Sequence, residues 1–165
     1  MPEITLLVHN IRSTHNVGSI FRSAEGFGVT KIILTGYTPY PRLPDDPRLP
    51  HIADKLTAQI HKTALGTETL VPFEQYDQLD TWLCGNEEDE NIPVLALEQA
   101  PDSVNLRGYT PPQKFALLLG EEVHGIEAHY LSYCQDILEI PMHGQKESFN
   151  VSVATGIALY ALTGV

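Results

Sequence analysis

Short apolar runs separated by amphipathic stretches set the rhythm of this chain. Ile4–Val8 (ITLLV), Lys31–Thr35 (KIILT), Ile92–Leu97 (IPVLAL), Phe115–Leu119 (FALLL) and Ile137–Ile140 are too short for helices and almost unbroken in apolar character. Strands covered on both faces read this way. Thr69–Val71 reads as one more strand. Asn16–Gly28 places Val17, Ile20, Phe21, Ala24 and Phe27 on a helical stripe, with Asn16 where an N-cap belongs and Gly28 where a C′ glycine belongs. Residues 51–60, Glu74–Leu83, Glu127–Cys134 and Asn150–Leu162 read as four further helices. The last carries Val151, Ala154, Ala158 and Leu162 near one face. This alternation predicts an α/β domain, a mainly parallel sheet with helices on both faces. Ligands of such sheets bind beyond the carboxyl ends of the strands. Prolines 39, 41, 44, 47 and 50 make residues 35–50 a long irregular loop.

At 165 residues the expectation is a single domain, 1–165, with no RNA-binding extension. Cys84 and Cys134 are fifty residues apart and in no ligand-like spacing, which argues against a zinc ribbon or a disulfide scaffold. None of His9, His51, His61, His124, His129 and His143 has metalloprotease-type spacing, so no metal is expected. No membrane-length apolar run or signal peptide is legible, so a soluble cytoplasmic protein with reduced thiols is expected.

The net charge of −11 argues against simple charge-driven nucleic-acid binding. The charge is uneven, however. Residues 1–62 hold seven Lys/Arg against five acids, whereas residues 63–165 hold three against sixteen. A bound polyanion should meet the N-terminal part. There, Tyr37 and Tyr40 with Arg42 and Arg48 are candidates to stack on a base.

Three segments carry candidate chemistry, and each follows or flanks a strand. The first, Asn10–Ala24, contains N-x-G-x-x-x-R-x-A at a helix start: Asn16, Gly18, Arg22, Ala24. Gly18 slims the first turn, where free N–H groups favour an anion, and Arg22 follows one turn later. An Arg22–Glu25 ion pair is the plainer alternative. The second, Leu117–Ile126 (LLLGEEVHGI), brackets a sharp turn with two glycines. The third, Ile140–Ala154 (IPMHGQKESFNVSVA), ends a strand at Pro141 and offers Ser148 or Asn150 as a helix cap.

Together these segments resemble, in order and spacing, the three motifs of the SpoU-type RNA ribose 2′-O-methyltransferases of the SPOUT class. Lys62–Gly66 (KTALG) resembles a further stretch common in that family. Glu121 stands where the family often has Asn, Val123 where it often has Gly, and Phe149 where it usually has Leu. The resemblance implies S-adenosylmethionine as methyl donor and a C-terminal trefoil knot. It assigns cofactor binding to Leu97 and the loop that follows it, and to Leu119, Gly120, Ile140, Met142, Ser148, Phe149 and Asn150. It assigns catalysis to Arg22, Asn16, Glu122, Ser148 and Asn150. It also implies a homodimer in which Arg22 of one subunit meets the cofactor of the other. The substrate implied is tRNA or rRNA, with tRNA slightly favoured for a compact acidic domain. The competing reading is a non-catalytic RNA-binding or assembly protein that keeps the knotted fold. Dinucleotide and P-loop chemistry are unsupported, since neither GxGxxG nor GxxxxGK[ST] follows the first strand.

Overall fold

The computed structural model describes residues 1–164. Seven strands, β1 (Glu3–His9), β2 (Lys31–Thr35), β3 (Phe73–Tyr76), β4 (Val94–Leu97), β5 (Val104–Asn105), β6 (Lys114–Leu119) and β7 (Asp136–Glu139), form one sheet. Its order is β3-β2-β1-β6-β4-β7-β5, and every pairing is parallel. Four helices connect strands, α1 (Thr14–Gly26), α2 (Pro50–Ala64), α3 (Leu79–Glu88) and α4 (Ala128–Leu131), and α5 (Val151–Thr163) follows β7.

The apolar runs are unbroken because both faces of each central strand are covered. Ile4, Leu6 and Val8 of β1 and Phe115, Leu117 and Leu119 of β6 point to one side. They pack under Val17, Ile20 and Phe21 of α1, Ile60 of α2, and Leu159 and Leu162 of α5. Leu7, Ala116 and Leu118 point to the other side, toward Leu79 and Leu83 of α3 and Tyr130 of α4. Tyr130 donates its hydroxyl to Asp80 at 2.6 Å and meets the buried His9 ring edge-on at 5.1 Å. Burial holds the His9 imidazole below its ordinary pKa.

The expected α/β architecture is present, with four local corrections. Thr69–Val71 is not a strand. It follows a 3-10 turn, Thr67–Thr69, in which the Thr67 and Thr69 hydroxyls bond the Ala64 and Gly66 carbonyls. Such local bonds compete with a ladder. The strand begins after Pro72, so residues 74–76, expected as helix, pair with β2 instead. α2 runs to Ala64, four residues beyond the expected end, and α4 is a single turn. β5 has no sequence signal, since both of its residues are exposed.

The start of α1 is also corrected. The helix begins at Thr14, and Ser13 is the cap, its side chain accepting the Asn16 N–H at 3.2 Å. Asn16 therefore lies inside the helix with its amide free for other partners. Gly28 follows the C-cap at φ +67°, as a C′ glycine should.

Gly18 also departs from its expected part. It is buried where α1 crosses α2: a Cβ there would sit 2.3 Å from the Ile60 carbonyl oxygen and 2.2 Å from Thr63 Oγ1. It permits helix contact and lines no anion site.

Gly18→Ala should force α1 off α2 at a cost of about 1–3 kcal/mol, lowering the melting temperature by about 2–4 °C per kcal/mol. Gly26, near the end of the same helix, has open space around it. Gly26→Ala should be neutral or stabilise by about 0.4–1 kcal/mol. Paired thermal and urea denaturation of the two variants checks the contrast.

Candidate active site

Beyond the carboxyl ends of β4, β6 and β7 lies a cavity of about 520 Å³. Its apolar walls are Leu97, Leu119, Leu138, Ile140, Phe149 and Val151. Gly120 begins its second wall, the turn from Gly120 to Ile126, and Glu147–Asn150 form its third.

The 120–126 turn folds back on itself. Glu121 pairs with Gly125 in an antiparallel bridge, and the Glu121 carboxylate accepts the His124 N–H at 2.7 Å. A Cβ on Gly120 would lie 2.7 Å from the Gly125 carbonyl carbon and the Ile126 nitrogen. The absent side chain thus makes room for the turn itself, not for a ligand. Glu98, just past β4, clamps this turn: its Oε2 accepts the Ile126 N–H at 2.9 Å, and Oε1 accepts the Gln99 N–H at 2.8 Å. Gln99 in turn donates to the Glu147 carbonyl at 2.8 Å. One dipeptide therefore holds both polar walls. The sequence reading reached it only as the loop after Leu97 and singled out neither residue. The available signal was a carboxylate directly after a buried strand, at the end where α/β ligands bind.

The three motif segments meet at the cavity rim. The Asn16 amide donates to Glu122 Oε1 at 3.1 Å, and Asn150 donates to Asn16 Oδ1 at 3.2 Å. Asn150 also caps α5, accepting the Ser152 N–H at 2.9 Å. Arg12 adds a contact to Glu121 at 3.3 Å. The catalytic candidates Asn16, Glu122 and Asn150 thus form one hydrogen-bonded chain, with Ser148 on the cavity wall.

Two candidates stand apart. Met142 does not line the cavity, although Leu97, Leu119, Gly120, Ile140, Ser148, Phe149 and Asn150 all do. Arg22 is exposed and opens into a separate depression between α1 and α2, beside Ser19, Ser23 and Lys62. It has no ion-pair partner among the described residues, so the pair with Glu25 does not form.

The electrostatics of the two places are opposite. The cavity is lined by Glu98, Glu121, Glu122 and Glu147 and by no lysine or arginine, so it favours a cation and repels a phosphate. The depression holding Arg22 and Lys62 does the reverse. The Cys134 thiol is not a reactive one, because burial pushes it up to about 12. Among the described residues no group of side chains could hold a metal ion, and no helix is long and apolar enough to cross a membrane.

Fold and site define an α/β protein with a small-molecule cavity of acidic lining at the carboxyl edge of a parallel sheet. Residues 3–160 match the SpoU rRNA Methylase family. A 23S rRNA (guanosine-2′-O-)-methyltransferase, RlmB of Xylella fastidiosa, is 29% identical over 95% of this chain and 57% of its own length. The SpoU methyltransferase AviRb from Streptomyces viridochromogenes, solved with AdoMet, superposes with a TM-score of 0.79 at 22% identity, over 99% of this chain and 60% of that one. A structure described as addressing 2-OH methylation of C/U34 on tRNA matches with a TM-score of 0.75 at 23% identity, over 99% of both chains. The chain belongs to the SpoU rRNA methylase family. It spans about 57% of the length of the curated relatives it matches.

Glu98→Ala should leave the Ile126 N–H without its acceptor, at a cost of about 1–3 kcal/mol. Amide exchange at Ile126 should accelerate while the sheet stays protected, and Glu98→Gln, which keeps one acceptor oxygen, should fall between. Gly120→Ala should open the same turn, read out as new protease nicking within residues 120–126.

Proposed function

We propose that this protein transfers a methyl group from S-adenosylmethionine to a ribose 2′-hydroxyl of RNA. The observation that carries the reading is the meeting of the three motifs at one acidic cavity, with Arg22 and Lys62, unpaired among the described residues, held elsewhere. The cavity lies within the size range of small-molecule sites, roughly 300–1,000 Å³. Its apolar walls suit an adenosyl group, and its carboxylates suit the donor's positive charges.

The cofactor supplies a methyl group already activated on a sulfonium. The chain must align the hydroxyl with it and help the hydroxyl lose its proton as the carbon–oxygen bond forms. A guanidinium is a poor base, so Arg22 is not the group that takes the proton. Its part is to grip an RNA phosphate and lower the effective pKa of the nearby hydroxyl by its charge. The proton then leaves to the phosphate or to water. Asn16, Ser148 and Asn150 position ribose and cofactor, and Glu122 orients Asn16.

A second copy of the chain completes this site. What supports that is the absence of Arg22 from its own chain's cavity, together with an unpartnered stripe on α5. Val153, Ile157 and Tyr160 are 50%, 37% and 62% exposed on one helix face. A homodimer covering that stripe brings Arg22 of one subunit to the cofactor of the other. The trefoil knot belongs to the same proposal. It is supported by the path of residues 140–150, which return from the β7 side of the sheet to α1 through the Gln99–Glu147 and Asn150–Asn16 contacts. The RNA class is proposed as tRNA on the compactness of the substrate. The relatives' names make 23S rRNA the other arm of the test.

Purified protein should methylate unmodified tRNA or rRNA with labelled S-adenosylmethionine, mapped by mass spectrometry to a ribose. No turnover on either RNA with intact cofactor binding would favour the assembly-protein reading. Arg22→Ala should lose about 100-fold or more in rate and still bind the cofactor by calorimetry, with Arg22→Lys rescuing poorly. Mixing Arg22→Ala with Asn150→Ala subunits should restore part of the activity. Ile157→Glu should give an inactive monomer by light scattering.

A further inference from the structure

Arg12 joins the acidic rim of the cavity to a second depression, about 520 Å³, that the methyl-transfer reading leaves without a role. It lies between the start of α1, the loop after β2 and α2, and is lined by Arg12, Ser13, Tyr37, Tyr40, Arg48 and Gln59 among others.

Tyr37 is 54% exposed there, and the backbone around it is built to keep it so. Asn10 is held at φ 56°, and its Oδ1 accepts the Tyr37 N–H at 3.2 Å. Gly36, at φ +65°, packs so tightly on that side chain that a Cβ would lie 1.9 Å from Asn10 Oδ1. The buried Thr38 hydroxyl donates to the Val8 and Thr35 carbonyls and accepts the Ile11 N–H. A non-glycine residue kept in the left-handed region needs surrounding structure to hold it. Here the result is an aromatic ring presented to water, where burial offers it nothing.

The other groups of this loop are engaged. The Arg48 guanidinium covers the Tyr40 ring at 3.5 Å and is pinned by Asp46. Arg42 is paired to Asp54 at 2.7 Å. Of the four residues that the sequence offers for stacking, Tyr37 alone has an open ring. Arg12 supplies a cation with its side chain 62% exposed. Gln59 lines the same depression, and its amide has no hydrogen-bond partner among the described residues.

We propose that Tyr37 and Arg12 form a nucleobase platform beside the methyl-transfer site, Tyr37 stacking on an unpaired base of the RNA and Arg12 facing its backbone phosphate. The link to the reacting ribose rests on the methyltransferase reading; binding of the base does not. Base–aromatic stacking tolerates any base, which leaves Gln59 as the group that discriminates among base edges.

The test uses a short single-stranded oligouridylate carrying 5-iodouridine, with the full chain. Long-wavelength irradiation should crosslink it to the peptide bearing Tyr37, mapped by mass spectrometry. By fluorescence anisotropy Tyr37→Ala should weaken binding about tenfold, the scale of one lost stack, while Tyr37→Phe binds like wild type. Cofactor affinity should be unchanged in both. Unchanged RNA affinity of Tyr37→Ala overturns the platform wherever the crosslink falls, as does an equal loss in Tyr37→Phe or no binding by the wild type. If crosslink and affinity behave as expected but no RNA is methylated, the catalytic reading fails and the platform stands. If Tyr37→Ala methylates RNA with unchanged KM, the platform fails and the catalytic reading stands.

Discussion

The hydrogen bond from the Ile126 N–H to Glu98 is the contact on which the site depends. It ties the turn after β6 to the end of β4, and the bare Cα of Gly120 leaves room for the turn to close. The turn carries Glu121 and Glu122. Through them it reaches Arg12 and Asn16, and Asn16 reaches Asn150 at the head of α5. Four segments far apart in sequence are thereby locked around one cavity. Neutral and charge-assisted hydrogen bonds of this kind are individually modest. Their effect comes from sharing members, so that loosening one wall loosens the others.

The distribution of charge follows from the same arrangement. Four carboxylates line the cavity, while Arg22 and Lys62 sit in a different depression between α1 and α2. On the proposed reading, a cationic methyl donor and an anionic nucleic acid place opposite demands on their surroundings, which two separate sites can meet. On the proposed reading a single chain's site is incomplete, and the exposed Val153, Ile157 and Tyr160 of α5 are the face a second copy would cover. The overall charge of −11 then becomes compatible with RNA binding, since the relevant field is local.

Much of the fold was legible in the sequence because buried parallel strands require apolar side chains on both faces. The runs from Ile4, Lys31 and Phe115 therefore stand out without any knowledge of their partners. The places where reading failed share a cause. Thr69–Val71 has strand-like composition, but local hydroxyl bonds and the glycine before it set a turn; Phe73–Tyr76 has little strand signal and is extended because β2 offers it a ladder. Asn16 fits a cap as well as Ser13 does, and only the course of the chain from Asn10 decides that Ser13 takes the duty.

The sequence by itself determined the alternation of strand and helix, the motif residues and their family, because these depend on side-chain type and spacing along the chain. The tertiary structure alone decided what each motif residue touches. Gly18 reads as a slender position at an anion site yet makes room for α2, whereas Gly120, read as one end of a sharp turn, does make room for that turn. Glu98, unremarkable in sequence, holds two walls, and Met142, prominent in its motif, lies outside the cavity. Those outcomes depend on how strands that are distant in sequence come to lie side by side, and such adjacency leaves no periodic trace in the chain.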